Sequence, residues 1–157
     1  MITIVTGEID SGKTRYLKKL YEKDHKGDGV LSLKHYNNDR CIGYNLYHLR
    51  SEEQKGFIRL KTDLPKDWIE QHNIGRFSFS EEGFNFGEKI LKNIKAGPVY
   101  IDEIGPLEIW EKKGFYNILK ELVKKHSDLF LTLRPSLIDD LHDEFELSGK
   151  TKIITLK

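Results

Sequence analysis

The apolar run Ile2-Thr3-Ile4-Val5-Thr6 leads without a break into "GEIDSGKT" at 7–14, which has the spacing G-x-x-x-x-G-K-[ST]. No other stretch constrains the fold as much. A loop of this kind presents backbone N–H groups and the positive end of a helix dipole to a compact anion, so it needs a strand before it and a helix after it. The bare pattern arises by chance in on the order of one chain in a few hundred. Few of those accidents would also follow a β-like run and open a helical period. Gly7 and Gly12 let the backbone curl around the anion, Lys13 reaches the β- and γ-phosphates, and the Thr14 hydroxyl completes a Mg2+ shell. The nucleotide-binding stretch is therefore Gly7, Glu8, Ile9, Asp10, Ser11, Gly12, Lys13, Thr14 and Arg15. Glu8 and Asp10 are unusual beside an anion site and are expected to point outward.

Behind the loop, Tyr16, Leu17, Leu20 and Tyr21 recur at helical spacing, and "HKGDG" ends that helix with its glycines. From Val30 to Lys61 the period changes to two. "VLSLKHY" and "CIGYNLYHL" flank the turn "NNDR", and "GFIRLK" follows, so an antiparallel meander is expected here. "TDLPKDWIEQHN" reads as loop, and "GRFSFS" at 75–80 alternates again. Ser80 then caps a helix whose apolar positions include Phe84, Ile90 and Leu91, stopped by Gly97-Pro98. The remainder alternates strand and helix: "VYID", a loop, a helix over 113–126, "LFLTL", a helix over 136–145, and "KIITL". The class this predicts is α/β, one domain over 1–157, with a largely parallel central sheet extended by the meander.

"VYIDEIGPLE" at 99–108 is an apolar strand that ends in Asp102-Glu103, 89 residues after Lys13. If that strand neighbours the phosphate-loop strand, Asp102 holds the metal, usually through water, and Glu103 polarises an attacking water as a general base. A glutamate in that place favours hydrolysis over transfer, because a kinase has to keep water from the γ-phosphate. Arg134, just after "LFLTL", can neutralise charge on a transferring phosphate, with Arg15, Arg59 and Arg76 as weaker candidates.

Lys and Arg number 26 against 25 Asp and Glu, so net charge makes no case for nucleic acid or an anionic membrane. Cys41 is the single cysteine, which excludes an internal disulfide. Histidines 25, 35, 48, 72, 126 and 142 lack metal-ligand spacing, and "DDLHDEFE" at 139–146 reads as a solvated helix face. Tyr36, Tyr44, Tyr47, Phe77, Phe79 and Trp110 read as core or sheet residues, with Trp110 the preferred candidate to stack on a base. The loop pattern begins so close to Met1 that no targeting segment precedes it, and no run is long enough to span a membrane, so a soluble cytoplasmic protein is expected.

"GEIDSGKT", "VYIDEIGPLE", "GRFSFSEEGF", "TLRPSLID" and the hairpin "DRCIGYNLYHL", taken in order, resemble the small nucleoside-triphosphatases first known from thermophiles. The loop is common to many families; "DEIGPLE" with "GF" at 114–115 is more specific. The resemblance implies a RecA-like three-layer P-loop fold with a catalytic glutamate, and slow Mg2+-dependent hydrolysis of several nucleoside triphosphates. It also implies a strand between the phosphate-loop strand and the acidic one; if that strand is "LFLTL", Arg134 lies at the site edge. Asp10, where the family often has a small residue, and Arg15, where it often has Thr, depart from the pattern. Lys13, Glu103 and Arg134 are the catalytic candidates, and Thr14 and Asp102 the metal ligands. The rivals to a triphosphatase are a small-molecule or nucleoside kinase and a nucleotide-gated binding module with a protein partner.

Overall fold

The computed structural model describes residues 1–125 and 128–157; His126 lies outside the described residues. Among the described residues nine strands form one sheet: β1 (Ile2–Thr6), β2 (Asp28–Asn37), β3 (Arg40–His48), β4 (Gln54–Leu60), β5 (Glu70–Ile74), β6 (Phe77–Ser80), β7 (Val99–Ile101), β8 (Leu129–Leu133) and β9 (Thr151–Thr155). The helices are α1 (Lys13–Glu22), α2 (Glu81–Lys92), α3 (Pro106–Ile109), α4 (Tyr116–Lys124) and α5 (Ile138–Phe145). The strand order is β5-β6-β4-β3-β2-β7-β8-β1-β9. From β2 to β9 the neighbours are parallel; from β2 to β5 they are antiparallel.

Adjacent residues of the central strands enter different cores, which is why those strands read as continuous apolar runs. Ile4, Val30 and Ile101 pack with Phe84 and Leu91 of α2, Leu119 of α4 and Leu141 of α5. Val5, Leu31 and Tyr100 pack on the other face with Leu17 and Tyr21 of α1. The result is three layers, helix on sheet on helix. Each fully buried leucine of these faces, such as Leu17 or Leu131, contributes about 1.5–3 kcal/mol.

The turn between β2 and β3 uses Asn38 at φ 57, as the "NNDR" reading requires. Ser80 caps α2 by accepting from the Gly83 N–H at 2.9 Å. Two local readings are corrected. The stretch expected to be loop before Gly75 holds β5, an edge strand whose sequence, EQHNI, carries no apolar alternation because neither face is fully buried. The helix expected over 113–126 is α4, starting only at Tyr116, and the loop before it contains α3. The strand β2 itself begins at Asp28, but its antiparallel pairing with β3 begins at Val30, as expected of the meander.

Candidate active site

The site lies at the C-terminal ends of β1, β8 and β7, beside the middle of the longer β2. The chain leaves β1 through Gly7, where an added Cβ would come within 2.9 Å of the Leu156 carbonyl oxygen. Gly12, at φ 94, turns the loop into α1 with no side-chain cap, so the N–H groups of the first helical turn have no intrahelical partner and remain for an anion. Lys13 is buried, and its ammonium donates to the carbonyls of Gly7 at 2.9 Å and Glu8 at 3.0 Å. Ser11 Oγ is buried without a hydrogen-bond partner among the described residues. Glu8, Ile9, Asp10 and Arg15 face solvent, as expected of the two carboxylates. Asp10 is nevertheless engaged, in an ion pair with Lys34 of β2.

β1 and β7 are not neighbours: β8 lies between them, so the first condition placed on Asp102 fails and the one implied by the resemblance holds. Contact is made all the same. Thr14 Oγ1 donates to Asp102 Oδ2 at 2.6 Å, and the Ser32 N–H donates to the same oxygen at 3.0 Å. From the intervening strand, Thr132 donates its hydroxyl to Asp102 Oδ1 at 2.5 Å and accepts the Glu103 N–H at 2.7 Å. Burial raises the Asp102 pKa, opposed by the Thr132, Thr14 and Ser32 hydrogen bonds and by the Lys13 charge. Both oxygens of this buried carboxylate accept hydrogen bonds, and its chemistry is that of a hard-oxygen donor. Mg2+ suits it, being held by a few protein oxygens together with substrate phosphates. Among the described residues no group of His, Cys, Asp or Glu forms a metal cage of its own.

Glu103 follows β7 at φ 63, an unfavourable conformation for a residue with a side chain. Its side chain opens to solvent at the cleft mouth, but protein packed close on its other sides, and then the Asp102 charge, push its pKa up to about 7. Lys13, Arg134 and Lys34 pull it back down. Arg134, exposed at the end of β8, is thus within electrostatic reach of Glu103.

Among the weaker arginine candidates, Arg59 is buried and donates to the carbonyls of Tyr44 and Ile58 and to Asn45 Oδ1 at 2.8–3.0 Å. Those partners make it a strut of the antiparallel half. Arg76 lies over the Phe77 ring at the turn between β5 and β6. Tyr36 is a sheet residue of β2, as read, though 53% exposed; Trp110, 61% exposed, belongs to neither sheet nor core, and its indole donates to Asp140 Oδ2 at 2.8 Å.

Glu108 was read only as part of a motif. Its carboxylate accepts from the N–H of Gly105 at 3.2 Å and of Phe115 at 3.1 Å, fixing the starts of α3 and α4 behind the Asp102-Glu103 turn. The signal for it was a glutamate three residues after Gly105, placed to reach back to the Gly105 N–H, which is the carboxylate half of a capping box. Burial raises its pKa to about 7, against the hydrogen bonds that lower it. A raised folded-state pKa favours the protonated form. Stability from this group is therefore full below its unfolded value of 4.5 and declines as pH rises to about 7, by roughly 3 kcal/mol. Thermal melts of wild type and Glu108→Gln from pH 4.5 to 8 should show the wild type losing stability relative to the variant over that interval. Parallel curves would mean that the carboxyl ionises normally.

An α/β sheet with a phosphate-cradling loop at one strand end and a buried aspartate reached from it defines a P-loop nucleotide-binding protein. The NTPase family model matches residues 2–157, and the chain belongs to that family. The fold is also that of a human cancer-related nucleoside triphosphatase, with TM-score 0.71 and 16% identity over 99% of this chain and 88% of that one. THEP1 from the hyperthermophile Aquifex aeolicus has the same fold, with TM-score 0.72 and 20% identity over 100% of this chain and 90% of that one. No curated protein sequence matches significantly. Membership of that family supports nucleoside triphosphate hydrolysis as the general activity. Among the described residues no helix is long and apolar enough to cross a membrane.

Proposed function

We propose that this chain, as one domain over residues 1–157, hydrolyses nucleoside triphosphates of several bases to the diphosphate and phosphate with bound Mg2+. The observation that carries this reading is the 2.6 Å hydrogen bond from Thr14 to Asp102, which joins the phosphate loop to the acidic strand. Residues Gly7 to Arg15 cradle the phosphates, and Thr14 and Asp102 hold the metal. When bound, Mg2+ neutralises phosphate charge and helps align the terminal phosphate. Glu103 accepts a proton from the attacking water as its oxygen bonds to the γ-phosphorus and the bond to the β-phosphate oxygen breaks. Lys13 and Arg134 offset the charge that moves onto the leaving oxygen and the phosphoryl group. Such positioning and electrostatics supply most of the catalysis in phosphoryl transfer.

Phosphate release from ATP, GTP, CTP and UTP, with Mg2+ and with excess EDTA, tests the reading. Comparable release from all four, lost in EDTA, is the expected result. No release from any of them overturns it, and release that waits for an added metabolite transfers the chain to the kinases.

A further inference from the structure

β2 is long, and only its first residues, Asp28–Val30, pair with β7. The rest, still paired with β3, runs on beyond the end of β7 and walls the cleft. Its residues there alternate in face. Ser32 touches the site through its N–H on Asp102 Oδ2, and Lys34 is the next residue on the same face, roughly 7 Å further along. The Lys34 ammonium reaches across to Asp10 of the phosphate loop. It is also one of the charges felt by Glu103. Tyr44 lies opposite Lys34 on β3, and the Glu103, Lys34 and Asp10 charges all act on its hydroxyl.

The strand order gives this cluster its meaning. β7 leads into Glu103 and is flanked by β2 on one side and β8 on the other. Each neighbour delivers one cation past the end of β7, Lys34 from β2 and Arg134 from β8, while Lys13 rises from the loop. A carboxylate on a phosphate loop repels the anion the loop must hold, unless a cation neutralises it. Asp10 has such a cation, and it is one that a more highly charged competitor can draw away, because the pair is exposed and its attraction weak.

We propose that Lys34 is a specificity-determining residue for the terminal phosphate, parked on Asp10 in the nucleotide-free protein and transferred to the γ-phosphate when a triphosphate binds. This rests on the triphosphatase reading of the site. A diphosphate, whose charge ends at the depth served by Lys13 and the loop amides, leaves Lys34 on Asp10. Lys34 and Asp10 together then distinguish substrate from product: the lysine rewards the third phosphate, and the aspartate sets how much.

Equilibrium binding of a fluorescent, methylene-bridged ATP analogue and of fluorescent ADP, both with Mg2+, tests this on wild type, Lys34→Ala, Lys34→Arg, Asp10→Asn and the Lys34→Ala/Asp10→Asn double variant. Lys34→Ala should weaken the triphosphate at least about tenfold, as expected for a charge-assisted hydrogen bond, and change ADP by no more than about twofold. Lys34→Arg should restore most of the preference. Asp10→Asn should tighten the triphosphate, and that gain should vanish in the double variant. Equal weakening of both nucleotides by Lys34→Ala, or an Asp10→Asn gain that survives without Lys34, overturns the proposal. A wild type that binds neither nucleotide overturns the triphosphatase reading itself. A wild type that binds the triphosphate with the same preference as Lys34→Ala overturns only the role of Lys34.

Discussion

Glu103→Gln should bind nucleoside triphosphate as the wild type does and turn it over at least about a hundredfold more slowly, the range in which a positioned general base contributes. Glutamine keeps the size of the side chain and the backbone N–H that Thr132 accepts, so the Asp102 network survives the change. What it removes is the proton acceptor. Because the Glu103 pKa is raised to about 7, the free protein holds this base partly protonated near neutrality. The sign follows directly: a base works when ionised, so kcat/KM in the wild type should rise as pH climbs through about 7 and level off above it. In Glu103→Gln that rise should be missing. Stopped-flow nucleotide binding beside steady-state phosphate release checks both parts. Full turnover in the variant would take Glu103 out of the mechanism, and unchanged turnover with a lost pH profile cannot be reconciled with a base at this position.

Lys13→Ala should act on binding as well as turnover. The ammonium is buried and holds two loop carbonyls, so its removal takes a positive charge from the phosphate site and unties the loop around it. Truncating one partner of a buried, hydrogen-bonded charge pair costs about 2–5 kcal/mol, which is roughly thirtyfold to several thousandfold in affinity. Calorimetric titration with a triphosphate reads that loss. The fold should be retained, since neither core is formed by Lys13. Affinity within a few fold of the wild type would show that the loop amides alone hold the phosphates.

The parts of this site visible in the sequence are those with local geometry. Five intervening residues from Gly7 to Lys13 define a loop, and Ser80 defines a helix start, because each works through backbone groups a few residues away. The Asp102-Glu103 pair was legible as a strand end for the same reason. Its neighbours were not. That Thr132 bridges Asp102 and Glu103 depends on β8 entering the sheet between β1 and β7, and nothing near residue 132 encodes which strands flank it. Lys34 was invisible in another way, as one more polar residue on an alternating strand, until the overhang of β2 past β7 put it at the cleft. Arg59 misled in the opposite direction. Arginine at a strand suggested phosphate chemistry, whereas the buried guanidinium serves carbonyls of its own hairpin and lies 5.5 Å from the Trp68 ring. Glu108 had a readable spacing to Gly105, but its second hydrogen bond, from the Phe115 N–H at the start of α4, lies outside that local pattern.

On the role proposed for Glu103, its positive φ sets stability and chemistry against each other at one residue. Glycine would relieve a backbone cost of about 1–2 kcal/mol there and delete a carboxyl that sits uncomfortably beside Asp102. Heat resistance is therefore a poor guide to improving this protein: selection for it alone would be drawn to the position that the reaction most needs, and would return a sturdier molecule with an idle cleft.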